Sequence, residues 1–108
     1  MPGQTTLFRG NIFAGKLISV TLAPAVVATA TTVEEAFTVQ GVQAGDMVIV
    51  QANLAQTAGV NVISARVTGV NTVAITFVNP TAGGVTPAAG AYMMFICRPE
   101  YTPMDASF

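Results

Sequence analysis

Apolar residues alternate with polar or small residues in short runs along most of the chain, and Gly, Asn, Asp and Pro separate the runs. A period of two is typical of β-strands with one buried face, and runs this closely spaced predict several short strands. We expect six or seven strands and at most a minor amount of helix. The expected strands cover about residues 11–22, 33–40, 47–52, 60–68, 72–78 and 91–98.

The most distinct local pattern is a hairpin, in which Gly69-Val70-Asn71 joins two alternating runs through a short turn. In the second run one face carries Val73, Ile75 and Phe77, and the other carries Thr72, Ala74 and Thr76. Residues 41–46 predict another turn, because two glycines permit a positive φ and Asp46 can bind nearby backbone N–H groups. Segment 23–32 stays undecided, since its β-branched residues argue only mildly against a helix.

Two of the expected strands, over 47–50 and 92–97, are apolar on both faces, which an antiparallel sheet with one solvated side does not favour. Their outer faces need a cover, which could be a second sheet, the chain's own termini or a neighbouring subunit. Composition favours the subunit, because only 8% of the residues are charged, against about a quarter in an ordinary domain. Surfaces this poor in charge usually keep apolar patches where another protein binds. We therefore interpret the chain as an assembly protein.

Charged residues are too few and too scattered for a nucleic-acid site. The basic residues are Arg9, Lys16, Arg66 and Arg98, and the formal net charge is −1, so no patch can neutralise a run of phosphates. Pro, Gly, Asn or Thr breaks every uncharged stretch, so we expect no membrane-spanning helix. The first residues show no secretory signal, and we expect synthesis in the cytoplasm.

The residues with reactive side chains do not form a recognisable catalytic or metal-binding arrangement. Histidine is absent, so no serine has an imidazole base. Glu34 and Glu35 are neighbours on a strand and point to opposite faces, so they cannot easily flank one bond. Cys97 is the only cysteine, which excludes an intrachain disulfide, and we expect a buried thiol. The sequence predicts no enzyme, no cofactor and no small-molecule substrate.

Both ends carry large apolar side chains outside clear strand patterns, which tails that are merely disordered rarely do. We expect arms over 1–10 and 100–108 around one domain over 11–99, an antiparallel β-sandwich or a jelly-roll-like fold. The arms could add as strands to a neighbour's edge or pack on their own domain. The residues expected at an interface are Leu7, Phe8, Arg9, Arg66, Tyr92, Met94, Arg98, Tyr101, Met104 and Phe108.

The middle of the chain reads VEEAFTVQGVQAGDMVIV, then GVNVISARVTGVNTVAITFVNPTAG, then TPAAGAYMMFICRP. In these turns and strands it resembles the capsid decoration, or cement, proteins of tailed bacteriophages. The resemblance implies a β-sandwich or jelly-roll-like subunit that forms homodimers or homotrimers on the outer capsid surface of the virion. It also implies that the major capsid protein is the partner and that capsomer junctions are stabilised without any chemistry.

Two other classes of function remain open. A head-fibre or tail-associated receptor-binding module would use loop tips such as 56–59 or 81–86 for recognition. A small enzyme is the third hypothesis, and the absence of histidine disfavours it most.

Overall fold

The computed structural model describes residues 12–99, so the arms expected over 1–10 and 100–108 lie outside the described residues. Within this range the chain forms six strands and no helix, as the alternating pattern predicted. The strands are β1 (Ile12–Leu22), β2 (Thr31–Thr38), β3 (Met47–Ala52), β4 (Asn61–Gly69), β5 (Thr72–Asn79) and β6 (Gly90–Pro99). No helix in residues 12–99 is long and apolar enough to cross a membrane.

The strands form two antiparallel sheets of three, with the orders β1-β6-β3 and β2-β5-β4. Only the β4–β5 hairpin joins two strands of the same sheet, and every other connection passes from one sheet to the other. The hairpin prediction is confirmed, because β4 and β5 pair across a turn at Val70 and Asn71. β2 begins two residues earlier than expected, since Thr31 already pairs with Asn79.

One hydrophobic core takes buried side chains from both sheets. Tyr92 and Met94 of β6 and Phe77 and Ile75 of β5 are fully inaccessible to solvent. These two strands are central in their sheets, so their inward side chains have neighbours on both sides. Burial of such large apolar groups is the main source of stability in a domain of this size.

The segment before β2, which sequence patterns left undecided, is a loop held by backbone pairing and by one buried asparagine. Val27 forms an isolated bridge with Val85, with N···O distances of 2.8 and 3.0 Å. Asn79 is completely buried, and its Nδ2 donates to the carbonyls of Val27 and Gly83 at 2.9 and 2.8 Å. Its Oδ1 accepts a hydrogen bond from the N–H of Thr81 at 3.0 Å. Asn79 therefore supplies buried hydrogen-bond partners to backbone groups of two loops that have no regular secondary structure.

The tip of the β4–β5 hairpin is bound to the loop that follows β2. Asn71 has a φ of 56°, a conformation that asparagine tolerates better than most residues. Its carbonyl accepts from the N–H of Val39, and its N–H donates to the carbonyl of Val42, both at 2.9 Å. Its Oδ1 accepts from the N–H of Gly41, also at 2.9 Å. One residue thus fixes the turn and the neighbouring loop together.

Candidate interaction surface

The outer face of the β1-β6-β3 sheet presents large apolar side chains in register across all three strands. Three neighbouring rows run Gly15–Cys97–Met47, Leu17–Phe95–Ile49 and Ser19–Met93–Gln51. We call Leu17, Met47, Ile49, Met93 and Phe95 the apolar face. Leu17 is 65% exposed, Ile49 59% and Met47 56%. Alternate residues on the same strands, such as Val48 and Met94, fill the core. On the outer side the edge strands carry the exposed groups, while Met93 and Phe95 of the central strand are partly buried.

The two sheets differ in the chemistry of their outer faces. The three rows of the apolar face contain no Lys, Arg, Asp or Glu. The outer face of the β2-β5-β4 sheet instead carries an exposed ion pair, in which Arg66 Nε and Nη2 donate to Glu34 Oε2 and Oε1 at 2.7 and 2.9 Å. That second sheet has the polar outer face expected of a solvated antiparallel sheet, and the first does not. Contiguous exposed apolar groups commonly mark a protein-binding surface.

A groove continues the apolar face around the edge of its sheet. β3 and β4 are edge strands of different sheets, and residues 48–50 and 62–65 line a groove of about 300 Å³ between them. Ile63 lies at a β-bulge in β4 and is 56% exposed, next to the exposed Ile49. A bulge adds one residue to the strand and turns it out of the regular alternation. For this reason period-two patterns in the sequence could not identify Ile63 as a surface residue.

Tyr92 and Met94, which we expected at an interface, do not lie on the surface. Both are fully buried in the chain's own core. Tyr92 Oη donates to the carbonyl of Ala88 at 2.7 Å and accepts from Gln56 Nε2 at 3.0 Å, so its polar atom is satisfied internally. The expectation that Tyr92 and Met94 lie at an interface is therefore corrected. The residues of β6 that share the outer face with Leu17 and Ile49 are Met93 and Phe95, each one position further along the strand.

The carboxylate partners of Arg66 and Arg98 come from the same chain. Arg98 Nε and Nη2 donate to Asp46 Oδ1 and Oδ2 at 2.9 and 2.8 Å, and Nη2 also donates to the carbonyl of Gly41 at 2.8 Å. The hydrogen bonds from Arg98 hold the pKa of Asp46 below its ordinary value, against the opposing effect of burial. The hydrogen bond from Arg66 likewise lowers the pKa of the exposed Glu34. A role for either arginine in binding another protein stays a prediction.

The other expected interface residues fall outside residues 12–99. They are Leu7, Phe8, Arg9, Tyr101, Met104 and Phe108. The candidate surface therefore consists of the apolar face and the groove beside it. Sequence patterns indicated that strands 47–50 and 92–97 needed an outer cover, but they did not identify Leu17 or Ile63.

Reactive side chains elsewhere in residues 12–99 include the two carboxylates of β2 and the thiol of Cys97. Between residues 12 and 99, no group of three or more His, Cys, Asp or Glu side chains could hold a metal ion. Cys97 is buried, as expected. Glu34 and Glu35 lie on opposite faces of β2, as predicted: Glu34 binds Arg66 outside, while Glu35 Oε1 accepts from the N–H of Ala25 at 2.8 Å. Glu35 Oε2 is buried without a hydrogen-bond partner.

Comparison of the chain with protein-family models, with curated proteins and with solved structures finds no match. The properties from which a function can be inferred are therefore the fold and the surfaces of the chain itself. Among these, the apolar face departs most from the outer surface of an ordinary solvated sheet.

Proposed function

We propose that this chain is a structural virion protein, a decoration protein that self-associates on the outer surface of a tailed-phage capsid and stabilises capsomer junctions. The observation that carries the proposal is the apolar face, with Leu17, Met47 and Ile49 each more than half exposed. Covering each of these side chains is worth about 1–2 kcal/mol. A protein whose role is to bind other proteins has a use for such a surface, and an isolated monomer does not.

The proposal includes a finer description of the fold. We infer that the two sheets pack as a β-sandwich with the strand connections of a small jelly roll. Support comes from the strand orders β1-β6-β3 and β2-β5-β4, in which successive strands alternate between sheets except at one hairpin. Jelly-roll domains of this kind occur in viral capsids, although fold alone does not assign function.

Self-association and lattice binding would act together in this role. A homodimer or homotrimer presents several copies of each contact, so weak contacts to the major capsid protein add up to a large effect. The apolar face contains no cationic group, which suits a protein partner better than nucleic acid. Neither a cofactor nor a catalytic residue is needed for this role, and the protein would be made in the host cytoplasm and act on the virion.

In the loops that a receptor-binding module would use, polar side chains form hydrogen bonds within the chain. Gln56 Oε1 accepts from the N–H groups of Ala88 and Thr57, and its Nε2 donates to Tyr92. Thr81 Oγ1 donates to Asn79 Oδ1 at 2.6 Å and lies 2.9 Å from the carbonyl of Gly83. Because these polar groups already have partners, we favour the decoration role over a fibre or receptor-binding role.

On this proposal the gene belongs to a tailed phage, and cryo-electron microscopy of that phage's particles tests the proposed function. We expect ordered density for the chain at repeated positions on the outer capsid surface, with the apolar face covered in each copy. A parallel reconstruction of particles lacking the gene is the control and should lose only this density. Density at the tail tip or on a fibre would overturn the proposal in favour of the receptor-binding module, and absence from the particle would overturn both.

A further inference from the structure

The two sheets have four edge strands, β1, β3, β2 and β4, and three of them carry features that hinder pairing with a further strand. Lys16 in β1 and Glu35 in β2 place charges on the inward faces of their strands, opposite buried residues of β6 and β5. β4 has two irregularities of register, one of them at Ile63. Inward-pointing charges and bulges are devices by which edge strands avoid pairing with other chains.

The edge strand β3 has none of these features. Its sequence, MVIVQA, contains no charged residue, no proline and no glycine, and it pairs with β6 in unbroken register. Three of its six residues are Val or Ile, which favour extended backbone. An uncharged, regular and largely apolar edge of this kind readily accepts another strand.

The hydrogen-bond pattern shows which backbone groups of β3 point away from β6. The N–H of Asn53 donates to the carbonyl of Ala91 at 3.0 Å, and these two residues extend the β3–β6 register by one position. In an antiparallel pair the hydrogen-bonded and non-hydrogen-bonded positions alternate. Val48, Val50 and Ala52 therefore direct their N–H and C=O groups to the free edge. Among residues 12–99 no strand pairs with that edge.

The side chains along the same edge are apolar as well. The groove of about 300 Å³ between β3 and β4 is lined by residues 48–50 and 62–65, none of which is charged. Ile49 and Ile63, both more than half exposed, belong to this lining. A strand added to β3 gains main-chain hydrogen bonds and covers these side chains, which are the two contributions that strand addition uses.

A second copy of β3 suits this edge, because the strand has no charge and is complementary to itself. With a two-fold axis at Val50, antiparallel pairing sets Val50 against Val50 and Val48 against Ala52 of the second copy. All the free-edge residues then form hydrogen-bonded pairs, with about six bonds at two per pair. Ile49 lies beside Gln51 of the second copy, so residues of the outer face stay on the outer face.

We propose that two copies of the chain pair antiparallel through β3, which joins two three-stranded sheets into one sheet of six strands. The two-fold axis is perpendicular to the sheet, so the apolar faces of both copies lie on the same side and form one wider surface. This inference rests on the self-association in the proposed function and assigns that association to a strand edge. The wider apolar surface remains available to the major capsid protein.

Amide hydrogen exchange of the full chain, resolved to single residues by fragmentation mass spectrometry, tests the pairing. The N–H groups of Val48, Val50 and Ala52 should exchange about tenfold more slowly, or slower still, in the associated protein than after dilution to monomer. The N–H groups of Leu17 and Ser19 face the free edge of β1 by the same alternation, so they are the control and should exchange at one rate in both states.

The exchange pattern separates failure of the pairing from failure of the proposed function. An associated protein without protection at Val48 and Val50 would overturn the pairing and leave self-association standing. Protection at Leu17 and Ser19 instead would place the contact at β1. A chain that is monomeric at every concentration would overturn pairing and self-association together. Protection of β3 that appears only on capsids would overturn the second copy as its partner in favour of a strand of the capsid protein.

Proline substitution gives a second readout of the same pairing. Val50→Pro removes an N–H that faces the free edge and leaves the β3–β6 hydrogen bonds in place, an arrangement that edge strands tolerate. We expect the dissociation constant of the dimer to rise about tenfold or more, because both copies lose a donor at the two-fold axis.

The matched control is Ser19→Pro, which removes a free-edge N–H from β1 and should leave the dissociation constant unchanged. Circular dichroism verifies that both variants keep their strands. A folded Val50→Pro variant that associates as tightly as the wild type would overturn the pairing. If Val50→Pro does not fold, the exchange rates of the wild-type chain decide.

Discussion

Asp46 illustrates how a buried charge is accommodated in a chain with few charges. Its carboxylate accepts two hydrogen bonds from Arg98 and a third, at 3.0 Å, from the N–H of Gln43. Gly45, with a φ of 95°, provides the backbone turn that brings the carboxylate back to Gln43. The predicted role of Asp46 as an acceptor in a turn is therefore confirmed. Its ion pair with Arg98 was not predicted, because it joins residues far apart in the sequence.

Replacing Asp46 with Asn should lower the free energy of unfolding by about 1–3 kcal/mol, because Arg98 then loses its charged acceptor. The pH dependence should change as well. The native pKa of Asp46 is lowered below 3.8, so the unfolded chain binds this proton first as the pH falls. Stability from Asp46 is thus present above about pH 4 and is lost as the pH falls through the lowered native pKa. Urea denaturation at fixed protein concentration, between about pH 2 and 7, measures both effects.

The matched control is Glu34→Gln, which breaks the exposed ion pair with Arg66 on the other sheet. We expect little change in the urea midpoint of unfolding at neutral pH for this variant, because exposed ion pairs contribute little to the free energy of unfolding. Equal losses for the two variants would show that burial of Asp46 does not matter. If Asp46→Asn leaves the pH dependence of the free energy of unfolding unchanged below about pH 4, the lowered pKa of Asp46 does not contribute to stability.

At the scale of single elements, the β4–β5 turn depends on the backbone conformation and the side chain of Asn71. Asn71→Ala should lower the free energy of unfolding by about 2 kcal/mol, from a strained positive φ and the lost bond to Gly41. Asn71→Gly loses the bond but accepts the φ, so it should cost about 1 kcal/mol. Thermal or urea unfolding ranks the stabilities of the wild type and the two variants. An alanine variant as stable as the glycine variant would show that the positive φ of Asn71 costs alanine nothing.

Local patterns predicted the elements far better than they predicted the surface. The hairpin at residues 69–71 and the strand over 47–52 follow from turn residues and alternation, which are short-range properties. The bulge at Ile63 shifts the alternation by one residue, so its exposure depends on pairing with β5. The interface expectation for Tyr92 and Met94 is wrong because both faces of β6 are apolar, and a sequence cannot say which face another sheet covers. The loop conformation of segment 23–30 depends on a hydrogen bond from Asn79, which is distant in the sequence, so local patterns could not predict it.

The few charged residues are unevenly distributed over the subunit. The composition of 8% charged residues predicted apolar surface but not its position. Within residues 12–99 the two ion pairs involve Glu34, Asp46, Arg66 and Arg98, whereas the rows of the apolar face contain no charged residue. Two copies could therefore pack through the apolar face without bringing like charges together. The same surface would make an isolated subunit prone to associate.

Sedimentation velocity over a range of protein concentrations tests most directly whether the apolar face is an assembly surface. The comparison uses the full chain, Ile49→Lys on the apolar face and Thr38→Lys on the outer face of the other sheet, with circular dichroism to verify folding. We expect the wild-type chain and Thr38→Lys to form the same dimer or trimer, and Ile49→Lys to sediment as a monomer. A wild-type chain that stays monomeric at every concentration, or an Ile49→Lys variant that associates as the wild type does, would show that the apolar face is not an assembly surface.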